Sequence, residues 1–260
     1  WCFVANKILN MSSVTFDSYK NFPGYVINLD RERLRYWETR TRLAYLGFTN
    51  ISRWEATDCK KEDVNTEIKR MGVGHLERFC NDAEIACILS HVKVLSHFLA
   101  SKEEYCLVFE DDLLAHPNFK NLSSFYDIRY GEFDVLMFGG VFVDYDKNGA
   151  KSFGLTELKK IQNKDTHVDN ARFWQTHAYL ASREFAYNLI GRYREWTNTE
   201  QYRYPQLDNY ISGAPWFRTK LISDQTSTEV SRYRMSGEFS DKICGILFQD
   251  NGLVSNIQNQ

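Results

Sequence analysis

The chain is poor in proline, with four in 260 residues, and no Pro/Gly-rich linker, internal repeat or low-complexity stretch interrupts it. One α/β domain is the simplest organisation. There is no basic excess: 32 Lys and Arg against 34 Asp and Glu give a formal charge of −2, which argues against a nucleic-acid binder. No run of eighteen apolar residues occurs, so no membrane span is expected. The phosphate loop Gly-x-x-x-x-Gly-Lys-Ser/Thr and the Gly-x-Gly-x-x-Gly fingerprint are both missing, so ATPase and dinucleotide readings lose support. The six cysteines include no Cys-x-x-Cys pair, and Cys80 and Cys87 stand seven apart, so a zinc site is not expected. Cys87 and Cys106 lie in apolar patterns and read as buried thiols. Sequons at Asn10, Asn50 and Asn121 do not fix the compartment in an Asn-rich chain. The first residue is Trp1, so an upstream leader or anchor stays open.

What is present is enough apolar material for a full core, 43% hydrophobic and 15% aromatic. Residues 1–22 lack a clear period and read as a lead-in. Tyr25–Leu29 reads as a short buried strand, followed by a charged helix over Arg31–Leu46. On that helix Leu34, Trp37, Thr41, Ala44 and Tyr45 share a face, and Gly47 suits its C-terminal stop. Ile51–Glu55 reads as a second strand, completing a βαβ start. Residues 58–80 read as a loop with a short helix. Asn81 and Glu84 form a capping box for a helix running to Ala100. Asp134–Gly140 reads as another buried strand, its glycine pair marking a sharp turn or close approach to a ligand. Residues 143–168 read as a polar loop excursion. His177–Ala181 reads as a strand, with Ser182 capping a helix whose inner side carries Phe185, Leu189, Ile190, Tyr193 and Trp196. From about residue 198 no strong period remains, and the last ten residues read as frayed.

The most informative stretch is Tyr105–Leu114. A short apolar run, typical of a strand buried on both faces, ends in Glu110, Asp111 and Asp112. Ligands of open α/β sheets bind beyond the carboxyl ends of strands, which puts these acids at the lip of a cleft. Three adjacent like charges repel, and a hard divalent cation with oxygen ligands relieves that repulsion. The bland alternative is an acidic start to a short helix near Leu113.

Five segments occur in a telling order: Tyr25–Arg31, Ala56–Asp58, Glu84–His91, Leu107–Asp112 and Ala178–Arg183. Together, over roughly residues 25–232, they resemble glycosyltransferase family 25, with Ile222–Thr228 a weaker likeness. Ala86 stands where the family usually has Gly, and the polar insert has no obvious family counterpart. The resemblance implies an α/β fold of GT-A type, Rossmann-like, with a mostly parallel central sheet flanked by helices. It implies one domain over 23–250, a nucleotide-sugar half at about 23–140 and an acceptor half at about 141–250, then a tail at 251–260. It further implies inverting transfer of a hexose, often galactose, from a UDP-sugar to a glycan or glycoprotein hydroxyl, with Mn²⁺ or Mg²⁺.

On that reading Asp112, with Glu110, holds the metal, and Glu110 or Asp111 meets the ribose or sugar hydroxyls. Asn28, Asp30 and Arg31 border the nucleotide, Arg31 facing a phosphate; Asp30 reads equally as a helix cap. Asp58 is placed on the uracil or ribose, or is a turn residue. Ser90 and His91 lie near the donor, or simply pack. Gly139 and Gly140 let a sugar approach the backbone, and Trp174, Tyr179, Trp216 and Phe217 offer stacking faces. Asp208 or Asp224 is the general base that an inverting displacement needs, Asp208 preferred. Two other readings stay open: a non-catalytic binding or adhesion module, and another metal-dependent nucleotide-phosphate enzyme. Acceptor, compartment (cytoplasm if bacterial or viral, ER lumen if animal-like) and oligomeric state are not legible.

Overall fold

The computed structural model of the chain describes residues 14–15, 19–115, 119, 127–128, 133–143, 154–157, 172–174, 176–197, 206–213, 219–223, 243–245 and 247–249. Its centre is a seven-stranded sheet. The strands are β1 (Gly24–Asn28), β2 (Ile51–Glu55), β3 (Tyr105–Glu110), β4 (Val135–Met137), β5 (Gly154–Glu157), β6 (Ala178–Ser182) and β7 (Thr219–Ser223), in the order β2-β1-β3-β6-β4-β7-β5. β1 pairs in parallel with β2 and β3, and β4 with β7, whereas β6 and β5 run against their neighbours. Five of the seven strands therefore point the same way, and the mostly parallel α/β sheet expected above is what the chain forms. A smaller sheet joins Gly139–Val143 to Arg172–Trp174 and Ile243–Gly245.

Strand alternation divides the interior in two. Tyr25, Ile27, Cys106, Val108, Tyr179 and Ala181 point to one face, where they pack on helices α2 (Val64–Arg70), α3 (Asp82–Ala100), α4 (Arg183–Thr197) and α5 (Leu207–Gly213). Val26, Leu107, Phe109, Ala178 and Leu180 point to the other, against Tyr36, Leu43 and Leu46 of helix α1 (Arg33–Tyr45) and its end. The same parity carries on to the strand ends and decides where the site residues face.

The helices begin and end for local reasons. Asn81 Oδ1 accepts from Glu84 N at 2.9 Å while Glu84 Oε2 accepts from Asn81 N at 2.8 Å, the expected capping box of α3. Ser182 Oγ accepts from Phe185 N at 3.0 Å at the start of α4. Gly47 takes φ 96°, the left-handed position that stops α1 at little steric cost. Among the described residues α3 is the one helix long and apolar enough to cross a membrane, yet 61% of its apolar window is buried between sheet and helices, as in a core helix.

α1 is turned the other way from what hydropathy favours. The face bearing Leu34 (73% exposed), Trp37 (54%) and Tyr45 (74%) looks outward. The inner face carries Arg35, Tyr36, Thr39, Arg42 and Leu43, because three of them bind the chain just after β3. Arg35 pairs with Asp111, Thr39 Oγ1 donates to Asp111 O at 2.7 Å, and Arg42 donates to Leu113 O at 2.9 Å. Leaving those buried polar groups unpaired would cost more than exposing apolar surface.

Elsewhere tertiary pairing made strands that no local pattern marked. β5 lies inside the stretch expected to be a loop and, among the described residues, pairs with β7. α5, β7 and the strands at 243–245 and 247–249 lie in the stretch without period. Residues 144–153, 158–171 and 251–260, along with most of the lead-in, lie outside the described residues.

Candidate active site

β1, β2 and β3 run in parallel and end together: Asn28 lies opposite Glu55, and Ile27 opposite Glu110. Their carboxyl ends release the segments 29–32, 56–58 and 111–112 at one lip of the sheet. Alternation then splits the acidic cluster. Glu110 follows Cys106 and Val108 toward α3, whereas Asp111 follows Leu107 and Phe109 toward α1.

On the α1 side Asp111 is clamped. Asn28 Nδ2 donates to its Oδ2 at 2.6 Å, and Arg35 pairs with its Oδ1 at 2.8 Å. Arg53 Nε donates to Asn28 Oδ1 at 2.8 Å and so fixes the amide's orientation. Arg35 also lies 3.6 Å from Asp112, which is 4% exposed. Burial raises the Asp111 carboxyl above its usual range, and Arg35 and Asn28 only partly offset this. One guanidinium thus serves two carboxylates. Arg35 was not among the residues singled out from sequence; its one signal there is its place on the helix that follows the first strand.

On the α3 side Glu110 joins a buried polar group. Thr176 Oγ1 donates to Glu110 Oε1 at 2.9 Å, and His91 Nε2 lies 3.4 Å from the same oxygen. His91 Nδ1 is 2.9 Å from the Tyr179 hydroxyl. His91 and Tyr179 are fully buried, so His91 positions Glu110 from behind and offers no face to a ligand in the cleft. Tyr179 is likewise a core residue and not a sugar platform. Burial raises the Glu110 carboxyl, but the His91 hydrogen bond and charge, His177 and Thr176 outweigh it and hold the acid below its ordinary range. Thr176 and His177 enter by tertiary contact, with no sequence signal.

The third edge of the lip is built on the segment after β2. Arg31 is ion-paired with Asp58, and Asp58 is nearly buried. Burial raises the Asp58 carboxyl; the Arg31 hydrogen bond, the Lys60 backbone amide and the charges of Arg31 and Lys61 lower it by more, leaving it below the usual aspartate range. Asp30 does not cap α1. It accepts from Arg33 at 2.6 Å and from Arg53 at 3.3 Å, which hold it below its ordinary range. Ser90 is a positioning residue: its Oγ accepts from Thr57 N at 2.9 Å and donates to Ala86 O at 2.7 Å, tying the 56–58 segment to α3. Lys93 adds a bond to Thr57 Oγ1 at 2.8 Å.

Asp208 opens α5. Its carboxylate bears on the Cys87 thiol, as do those of Glu110, Asp112 and Glu84; burial and then these acids push that thiol well above its ordinary range. Asp224, Trp216 and Phe217 lie outside the described residues. Gly139 and Gly140 do not make a sharp turn. They open a strand, opposite Gly245 and Cys244, and neither is among the glycines at positive φ, Gly47 and Gly72.

No curated protein matches the chain. Among solved structures it is similar to the crystal structure of a glycosyltransferase involved in the glycosylation of the major capsid of PBCV-1. The identity is 11% and the TM-score 0.37, over 77% of this chain and 80% of that one. Residues 21–205 match the family described as glycosyltransferase family 25 (LPS biosynthesis protein), a span that includes the whole acidic lip. With well over half of its length inside that match, the chain belongs to glycosyltransferase family 25 and is a glycosyltransferase.

Proposed function

We propose that the chain is an inverting, metal-assisted hexosyltransferase that moves a sugar, galactose the first candidate, from a UDP-sugar to a hydroxyl of a glycan or glycoprotein acceptor. The observation that carries this reading is the gathering of Asn28, Arg35, Glu110, Asp111 and Asp112 at the carboxyl ends of β1 and β3, within the residues that match the family. Asp208 takes the proton of the acceptor hydroxyl. The hydroxyl oxygen bonds to the anomeric carbon from the face opposite the leaving group, and the bond to the diphosphate oxygen breaks as UDP departs. Asp111, fixed by Asn28 and Arg35, presents its remaining lone pairs to ribose or sugar hydroxyls. Arg31, now paired with Asp58, exchanges that partner for a phosphate oxygen on donor binding.

The donor set fits a hard divalent ion: carboxylate oxygens of Asp112 and Glu110, two residues apart at the end of β3. When bound there, Mn²⁺ or Mg²⁺ offsets the charge developing on the leaving diphosphate.

The test is thermal unfolding with a panel of nucleotide sugars, with and without Mn²⁺, on the wild type and Asp112→Asn. A donor at a hundred times its dissociation constant stabilises by about 2.7 kcal/mol. The expected result is one UDP-sugar that raises the midpoint with metal only, and loses that effect in the variant. If no nucleotide sugar raises it, the donor-site reading fails.

A further inference from the structure

We propose that Cys87, His91 and Glu110 form a binding site for a thiophilic divalent cation, with Zn²⁺ the ion that suits the donor set. Cys87 and His91 stand one helical turn apart on α3 and present a sulfur and an imidazole nitrogen on one face. Glu110 meets them from the end of β3. The three ligand atoms all lie within 4.8 Å of one another.

His91 Nε2 and Glu110 Oε1 are 3.4 Å apart, which is long for a hydrogen bond. Two ligands at about 2.0 Å from a tetrahedral ion stand about 3.3 Å apart, so this edge already has the spacing of a coordinated pair. Side-chain movement of at most about 1 Å brings the sulfur to its own bonding distance. With an ion bound, His91 Nδ1–H donates to the Tyr179 oxygen at 2.9 Å and the Nε2 lone pair faces the ion. Ligating histidines are commonly held by such a partner on the second nitrogen. Thr176 donates to Glu110 Oε1 at 2.9 Å and fixes the carboxylate in the same way.

Binding replaces the Cys87 proton, released to solvent, with the ion. Three protein donors leave the fourth position to water, and the thiolate favours Zn²⁺ over Mn²⁺ or Mg²⁺. The site is therefore distinct in chemistry from the all-oxygen set at Asp112. The absence of Cys-x-x-Cys spacing argued against zinc. The ligands come instead from a Cys-x-x-x-His pair on a helix and an acid that only the sheet brings near. On the transferase reading, Zn²⁺ here withdraws Glu110 from the donor and inhibits turnover; its binding does not depend on that reading.

Co²⁺ titration of the full chain, followed by absorption, tests the site. The expected result is one equivalent of Co²⁺ with a thiolate charge-transfer band and tetrahedral d–d bands, displaced by Zn²⁺ and not by equal Mn²⁺. Cys87→Ser should abolish the band, and Cys59→Ser, which removes a thiol outside the proposed set, should keep it. Glu110→Gln, which leaves the thiol in place, should weaken Co²⁺ by more than the roughly 10–100-fold seen when an outer partner is lost. Absence of the band in the wild type, or its survival in Cys87→Ser, overturns the proposal. So does unchanged affinity in Glu110→Gln.

Discussion

Replacing Arg35 with methionine removes a positive charge that Asp111 and Asp112 share. The side chains of all three are largely buried, 16%, 12% and 5% exposed. Removing one partner of a buried ion pair costs about 3–5 kcal/mol, since an uncompensated charge is left behind. Asp111 keeps its 2.6 Å bond from Asn28, so the lower end, about 3 kcal/mol, is expected here. For a chain this long that is a fall in melting midpoint of roughly 6–12 °C. Arg33→Met is the comparator. Its partner Asp30 is as near, at 2.6 Å, but the pair is 66% and 37% exposed, and solvent screens such a pair, so its loss should cost far less than that of Arg35. Urea unfolding of the two variants at neutral pH measures the difference. The double variant Arg35→Met/Asp111→Asn should recover part of the loss, with a coupling of about 1–3 kcal/mol. The pH dependence has a fixed sign. Burial already raises Asp111, and losing Arg35 raises it further. The cost of Arg35→Met is complete above that raised value and shrinks as pH falls through it, because a protonated Asp111 needs no counter-charge. Equal losses in the two single variants, or no coupling in the double variant, would refute the argument that the acidic turn dictates how α1 is seated.

Two further outcomes test the rest of the site. Asp208→Asn should lower kcat by about 10²–10⁴, the usual worth of a general base, while the thermal response to the donor stays as in the wild type; a kcat within tenfold of wild type moves the base elsewhere, Asp224 first. Glu110 is held below its ordinary range chiefly by His91, against burial. Its stabilising contribution is therefore complete above the ordinary glutamate pKa and lost as pH falls through the lower folded value. Stability measured against pH should fall less steeply on the acid side in Glu110→Gln than in the wild type, and superimposable slopes would sink this assignment.

Much of the scaffold was legible from local chemistry. Ile51–Glu55, the Asn81–Glu84 box, Gly47 as a helix stop and Ser182 as a cap all depend on residues within four positions of one another, and each forms as expected. The run ending in Glu110, Asp111 and Asp112 announced a strand end at a cleft for the same reason, and its two-residue alternation held the information that Glu110 and Asp111 would part company.

What local chemistry could not contain is which partners the fold would deliver. Thr176 reaches Glu110 only because β6 lies beside β3. Arg35 reaches Asp111, and turns the apolar stripe of α1 outward, only because α1 packs under the end of β3. Of the two readings open for Ser90 and His91, near the donor or packed, burial favours the packed one for both, since burial is a property of the assembled layers and not of a helix by itself. The sequence by itself determined the elements with a local pattern, the family resemblance and the acids at the sheet's lip, all short-range or compositional facts. Only the tertiary structure decided which partners each acid meets, because contacts such as Thr176–Glu110 and Asn28–Asp111 join residues 66 and 83 positions apart in the chain and no local periodicity encodes them.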